Sequence, residues 1–153
     1  PVAILTKMWR DSPESMRTSV TRDRIMRLYV RSEAQRLTNI RAGQNRRKGN
    51  PGPEMSIAKL AFAELNQDLL TAAVDMMGMA GQVDYDYTFR RPEDLSVDGS
   101  ENGVQHGFLR VRANSIEGGT SEIMRNILGE QVLGLPGEPR IDKDIPWIEV
   151  PRS

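Results

Sequence analysis

The chain has no cysteine and a single histidine, His106, in 153 residues. The first absence excludes disulfides, thiolate nucleophiles and Cys-based zinc sites; the second excludes any centre built on a histidine pair or triad. No metal site is expected. No apolar run approaches the length needed to span a bilayer, and no basic, apolar, small-residue succession at the start reads as a secretory signal. A soluble, cytoplasmic chain without a membrane span is therefore expected. Period-two alternation of useful length is missing, as is any internal repeat, so strands are not expected. The hydroxyls of Ser115, Thr120 and Ser121 have no histidine at a spacing that marks an activated nucleophile, which removes the hydrolase reading. His106, beside Gly107 and without an acidic neighbour in sequence, is assigned no chemistry.

What is present is enough for one ordinary core: 38 % of the residues are apolar, and one domain is the default at this length. Formal charge is zero, but it is unevenly spread. Residues 1–50 carry 12 Lys/Arg against 4 Asp/Glu, and residues 51–153 carry 9 against 17. A basic helix bearing Arg22, Arg24, Arg27, Arg31, Arg36 and Arg41 invites a nucleic-acid reading, yet no aromatic interleaving or known motif accompanies it. A solvated face that pairs with acidic neighbours is the better expectation, and nucleic acid is not expected as a partner.

Helical periodicity dominates. From about Val20, residues Ile25, Leu28, Tyr29, Leu37 and Ile40 form an apolar stripe that ends at Lys48-Gly49-Asn50-Pro51-Gly52-Pro53, a run that can neither continue a helix nor pair as a strand. From Glu54 to about Ala80, Ala58, Ala61, Phe62, Leu65, Leu69, Ala72, Ala73 and Met76 recur at steps of three and four. The Met76, Met77, Met79 cluster reads as adaptable core. Residues 81–103 form a polar connection that is long for a compact domain, with Tyr85 and Tyr87 at one end and a Gly/Asp-rich stretch at the other. Residues 104–116 read as a third helix or half-helix with Val104, Phe108 and Val111 facing inward. An all-α, up-and-down helical bundle follows. Its expected limits are a leading segment or linker over 1–19, the bundle over 20–136, and an extended tail over 137–153 anchored by Trp147 and Ile148.

Residues 118–136, Gly-Gly-Thr-Ser-Glu-Ile-Met-Arg-Asn-Ile-Leu-Gly-Glu-Gln-Val-Leu-Gly-Leu-Pro, form a glycine-rich turn that feeds a short amphipathic helix. Two glycines let a backbone approach a ligand closely, Thr120 offers a hydroxyl at the helix start, and Ile123, Ile127 and Val132 lie near one face. This stretch resembles the signature near the carboxyl end of the acyl-CoA dehydrogenases, flavoproteins that desaturate acyl-CoA thioesters. The likeness extends in outline over residues 20–136, is strongest in 113–136 and is present to a lesser degree in Ala-Lys-Leu-Ala-Phe-Ala-Glu-Leu-Asn-Gln-Asp-Leu-Leu at 58–70. The family's carboxyl-terminal domain is itself a helical bundle. The chain opens at Pro1 in an apolar piece, Val2 to Trp9, and against this family it reads as part of a longer bacterial-type protein with two domains ahead of it.

The resemblance implies α,β-dehydrogenation of an acyl-CoA with FAD, a separate electron acceptor, and homo- or hetero-oligomers built through the bundle. In the family a carboxylate removes the α proton while the flavin takes hydride from the β carbon. The residue before the Gly-Thr turn is often that glutamate; here it is Gly118, and Glu117 is the nearest carboxylate. Three alternatives stay open: Glu117 as base, a base on a helix before residue 1 as in another branch of the family, or a non-catalytic subunit of a mixed oligomer. Gly118, Gly119, Thr120 and Glu122 occupy positions that contact the cofactor in relatives. Glu122 replaces a common glutamine, and a carboxylate accepts but cannot donate hydrogen bonds and opposes an anion at a helix start. The family's Arg-x-x-x-Phe-Gly phrase is missing before Thr21, and its glycine-rich turn after the second long helix is reduced to Met77-Gly78-Met79-Ala80-Gly81. The 153-residue chain alone is expected to be inactive, and a non-enzymatic assembly module is the rival reading.

Overall fold

The computed structural model describes residues 2–49, 52–83, 103–137 and 145–150. Five α-helices occur among them and no strand: α1 (Val2–Asp11), α2 (Ser19–Arg47), α3 (Glu54–Met77), α4 (Val104–Arg110) and α5 (Ser121–Ile127). Short turns of tighter or wider helix join or extend them at Glu14–Met16, Gly78–Gln82, Val111–Ser115, Leu128–Val132 and Trp147–Glu149. The all-α bundle expected from the periodicity is what forms.

Helix α2 starts where its cap does. Thr18 has extended backbone and its side chain accepts a hydrogen bond from Thr21 N at 3.1 Å, satisfying one of the free amides of the first turn. At the other end Arg46 and Arg47 lie in the last turn, where cations favour the exposed carbonyls. Glu54 opens α3 and is 5 % exposed. Its Oε1 accepts from Asn45 Nδ2 at 2.9 Å and from Arg41 Nε at 3.0 Å, so the first turn of α3 is bound to the last turns of α2. A Cβ on Gly52 would stand 2.2 Å from Glu54 Oε2, so a larger residue there would require that carboxylate to move.

The centre of the bundle is α3, which packs against α1, α2, α4 and α5. Its buried residues include Ala63, Leu65, Leu69, Leu70, Ala72 and Ala73. Leu65, Leu69, Ala72 and Ala73 join Ile25 and Leu28 of α2 and Val2 and Leu5 of α1 in one cluster, flanked by Met8, Trp9, Met76 and Val104. The alanines let the helix axes approach, because each leaves room for a branched side chain from the facing helix. The expected complementarity of the two chain halves is realised between α2 and α3, where Arg24 meets Asp75 at 2.6 Å and Arg31 meets Asp68 at 2.5 Å. Both pairs are about half exposed, so they contribute little to stability.

Several expectations from periodicity are corrected. Residues 2–11 of the leading segment form α1, and Leu5 is 1 % exposed inside the core. Tyr29, Leu37, Ile40 and Phe62, expected on inward stripes, are exposed. The reason is that α2 meets its neighbours α1 and α3 along one face only, the face carrying Ile25, Leu28 and Ala42. Helix α3 likewise turns Leu65 and Leu69 inward and leaves Phe62 outside. Ile148, expected to anchor the tail, is exposed, and the side chain of Trp147 lies outside the described residues. Of the connection over 81–103, residues 84–102 lie outside the described residues, as do 50 and 51 of the hairpin and 138–144 and 151–153 of the tail.

Candidate functional site

The residues singled out in the glycine-rich stretch occupy a single turn between two helical pieces. Helix α4 tightens at its end into the turn Val111–Ser115, and the ladder closes where Ile116 N and Glu117 N both donate to Ala113 O, at 2.9 and 2.8 Å. Val111, 2 % exposed, roots this piece in the core, and Phe108 lies under the Arg112 guanidinium at 4.3 Å from the ring centre. Arg112 Nη2 also donates to Thr71 Oγ1 of α3 at 3.0 Å. The piece ahead of the turn is thus fixed to α3.

The chain then reverses through Gly118 at φ 64° and Gly119 at φ 95°, both in the region that a Cβ disfavours. Gly118 is exposed, and a Cβ built on it would make only ordinary contact, with Lys59 Cε at 3.9 Å. A Cβ on Gly119 would come within 3.1 Å of Met124 Cε. Thr120 follows with extended backbone and caps α5, its Oγ1 accepting from Ile123 N at 3.3 Å. Ser121 is buried at the start of that helix. Arg125, one turn on, donates to Glu64 of α3 and lies 3.5 Å from Glu122 Oε1. That contact places a cation beside the carboxylate that opposes an anion at this helix start.

Glu117 is half exposed and does not stand alone. Arg110 Nη2 donates to its Oε2 at 3.1 Å, and both Arg110 Nη atoms lie 3.4 Å from Oε1. Lys59 of α3 reaches under the turn, its Nζ donating to Asn114 O at 3.2 Å and to Gly119 O. Neither Arg110 nor Lys59 was singled out in sequence. Arg110 looks like one more surface arginine, and the only sign of Lys59 is its isolation as the lone cation in the 58–70 stretch. A groove of about 610 Å³ between α2 and α3 is lined by Lys59, Phe62 and Met55 but by no residue of 117–122.

Residues 14–133 match the family model for the acyl-CoA dehydrogenase carboxyl-terminal domain. The chain belongs to the acyl-CoA dehydrogenase family. Among curated members, it is 30 % identical over 119 residues to the acyl-CoA dehydrogenase IpdE1 of Mycobacterium tuberculosis (strain ATCC 25618 / H37Rv), covering 78 % of this chain and 28 % of that protein. It is 37 % identical over 89 residues to IpdE1 of Mycolicibacterium smegmatis (strain ATCC 700084 / mc(2)155), covering 58 % of this chain and 19 % of the relative. The chain thus spans under a third of the length of either acyl-CoA dehydrogenase. Among solved structures, the Tcur3481-Tcur3483 steroid ACAD superposes with a TM-score of 0.63 over 88 % of this chain and 35 % of that one, at 22 % identity, a likeness of fold. Among the described residues no helix is long and apolar enough to cross a membrane.

Proposed function

We propose that the protein is the carboxyl-terminal helical domain of an FAD-dependent acyl-CoA dehydrogenase, acting in the cytoplasm on an acyl-CoA and passing electrons to a separate acceptor. The observation that supports this most is the open turn. Gly118 is exposed and carries no side chain of its own, and the turn is held on both sides by α3 in a chain that belongs to this family. A flat ring system such as a flavin can lie against such a peptide, with Gly118, Gly119 and the Thr120 backbone as the wall. Glu122 favours that arrangement over a pyrophosphate seated on the start of α5, because its carboxylate repels phosphate except where Arg125 offsets it. FAD, when bound, supplies hydride acceptance from the β carbon.

Within this reading Glu117 receives the α proton on Oε1 or Oε2, and Arg110, whose Nη2 lies 3.1 Å from Oε2, orients that carboxylate. One turn supplies only one side of such a site, so the 153-residue chain alone lacks turnover, and the remaining walls come from other domains or from a neighbouring subunit of a homo- or hetero-oligomer.

A second reading is favoured by Gly118 standing where relatives carry the base and by the Arg110 clasp on Glu117: a non-catalytic subunit or assembly module of a mixed oligomer. The two are separated by titrating the protein with FAD and measuring turnover of straight-chain and ring-bearing acyl-CoA substrates with an artificial acceptor, using wild type and Glu117→Gln within the whole enzyme. Loss of turnover by roughly a hundredfold or more, with flavin still bound, supports Glu117 as the base. Unchanged turnover places the base elsewhere, and failure to bind any flavin supports the assembly module.

A further inference from the structure

The end of the Val111–Ser115 turn and the two glycines leave carbonyls that no helix satisfies, and a single side chain from another element collects two of them. Lys59 Nζ donates to Asn114 O at 3.2 Å, ahead of the turn, and to Gly119 O inside it, while Lys59 Cε runs directly beneath Gly118. We propose that Lys59 is a positioning residue that clips the Gly118–Gly119 turn into its open conformation from below, presenting the peptide that the proposed cofactor would contact.

The physical case rests on what the turn would be without the clip. Two successive residues lacking a Cβ have the widest choice of backbone angles in the chain, and nothing in their own side chains selects φ 64° followed by φ 95°. The Thr120 cap orders only what comes after, and the Ala113 carbonyl orders only what comes before. Between them, the ammonium is the one described group that bonds the backbone on both sides of Gly118. An ammonium donates to carbonyls more strongly than a neutral donor, and cations suit the carbonyl end of a helix. Lys59 is carried on α3, the element to which α1, α2, α4 and α5 all pack, so the clip is anchored on the most constrained part of the fold. Lysine thereby does for the turn what a second-layer hydrogen bond does for a ligand-binding loop: it removes conformational freedom before the ligand arrives.

This inference rests on the proposed flavin-facing role for its consequence, but not for its geometry, and the experiment keeps the two apart. Three forms are compared, each within the whole enzyme: wild type, Lys59→Met, which retains the stem and loses the ammonium, and Lys59→Arg, which retains charge and donors. Amide hydrogen exchange is read on the peptide spanning 111–124 and on α2 and α3, together with FAD affinity by fluorescence titration. The expected result is exchange accelerated about tenfold or more in 114–119 in Lys59→Met, with α2 and α3 unchanged. Lys59→Arg restores protection. FAD affinity falls by about tenfold in Lys59→Met and recovers in Lys59→Arg. Lys59→Met behaving as wild type in exchange would overturn the inference, since packing of the stem would then suffice. Acceleration spread over α3 would also overturn it, because the lysine would then be supporting the fold at large. A wild type that binds no FAD removes the proposed function while the exchange comparison still decides the clip.

Discussion

Arg110 closes on Glu117 across seven residues of chain, its Nη2 3.1 Å from Oε2 and both Nη atoms 3.4 Å from Oε1. The contact is possible because α4 tightens at its end, stacking the guanidinium and the carboxylate on one side of the turn. In the proposed site, Arg110 is then the group that an incoming substrate displaces or joins.

Arg110→Met is expected to leave stability within about 1 kcal/mol of wild type, because the carboxylate partner is half exposed and such pairs contribute little. Any change in turnover of the whole enzyme then reports on the site. Denaturant titration combined with steady-state kinetics checks this; a stability loss well beyond that figure would show that the pair holds the turn together.

Alanine at the two glycines should act unequally. At Gly118, φ 64° is close to the left-handed well and the added methyl makes ordinary van der Waals contact with Lys59 Cε at 3.9 Å, so Gly118→Ala costs on the order of 1 kcal/mol. At Gly119, φ 95° lies further from that well and the methyl meets Met124 Cε at 3.1 Å, so the loss is larger. In the proposed flavin binding the order should reverse, since Gly118 is the more exposed of the two glycines. Thermal denaturation and FAD titration of both variants give the two rankings, and identical rankings would count against the open face of Gly118.

Thr120→Ala removes the cap on Ile123 N and should cost about 0.5–2 kcal/mol, whereas Thr120→Ser keeps the acceptor and should stay near wild type. If flavin affinity follows the same pattern as stability, the cap explains the threonine. A separate loss in Thr120→Ser would assign its methyl or exact hydroxyl placement to the ligand.

Leu5→Ala tests the place of α1 in the bundle. Leu5 is 1 % exposed among Ile25, Leu28, Leu65 and Leu69, so truncation leaves a cavity and should cost about 2–5 kcal/mol. A cost near zero by urea denaturation would mean that α1 is not docked in solution.

Much of the bundle was legible in local pattern. The steps of three and four through Leu65, Leu69, Ala72 and Ala73, the Gly/Pro break at 48–53 and the hydroxyl ahead of α5 are each properties of neighbouring residues, and each has its counterpart in the fold. Periodicity could not say which side of a stripe would be covered. Tyr29 and Phe62 share the spacing of buried neighbours, but coverage depends on where α1 and α3 lie against α2, a property of the assembled helices. The same limit hid α1, whose ten residues carry a firm apolar face yet no side-chain signal of what it would meet.

At the candidate site the sequence alone determined the identity of the turn: two glycines, a capping threonine and a carboxylate in fixed order, enough to mark the family resemblance. Tertiary structure decided what the turn is attached to. Lys59 is 60 residues from Gly119 in the chain and Arg125 is 61 from Glu64, separations at which no spacing rule operates. Such partners are brought together only when burial of the apolar face of α3 sets the helices side by side, and that packing, acting over the whole bundle, is what places an ammonium beneath two glycines.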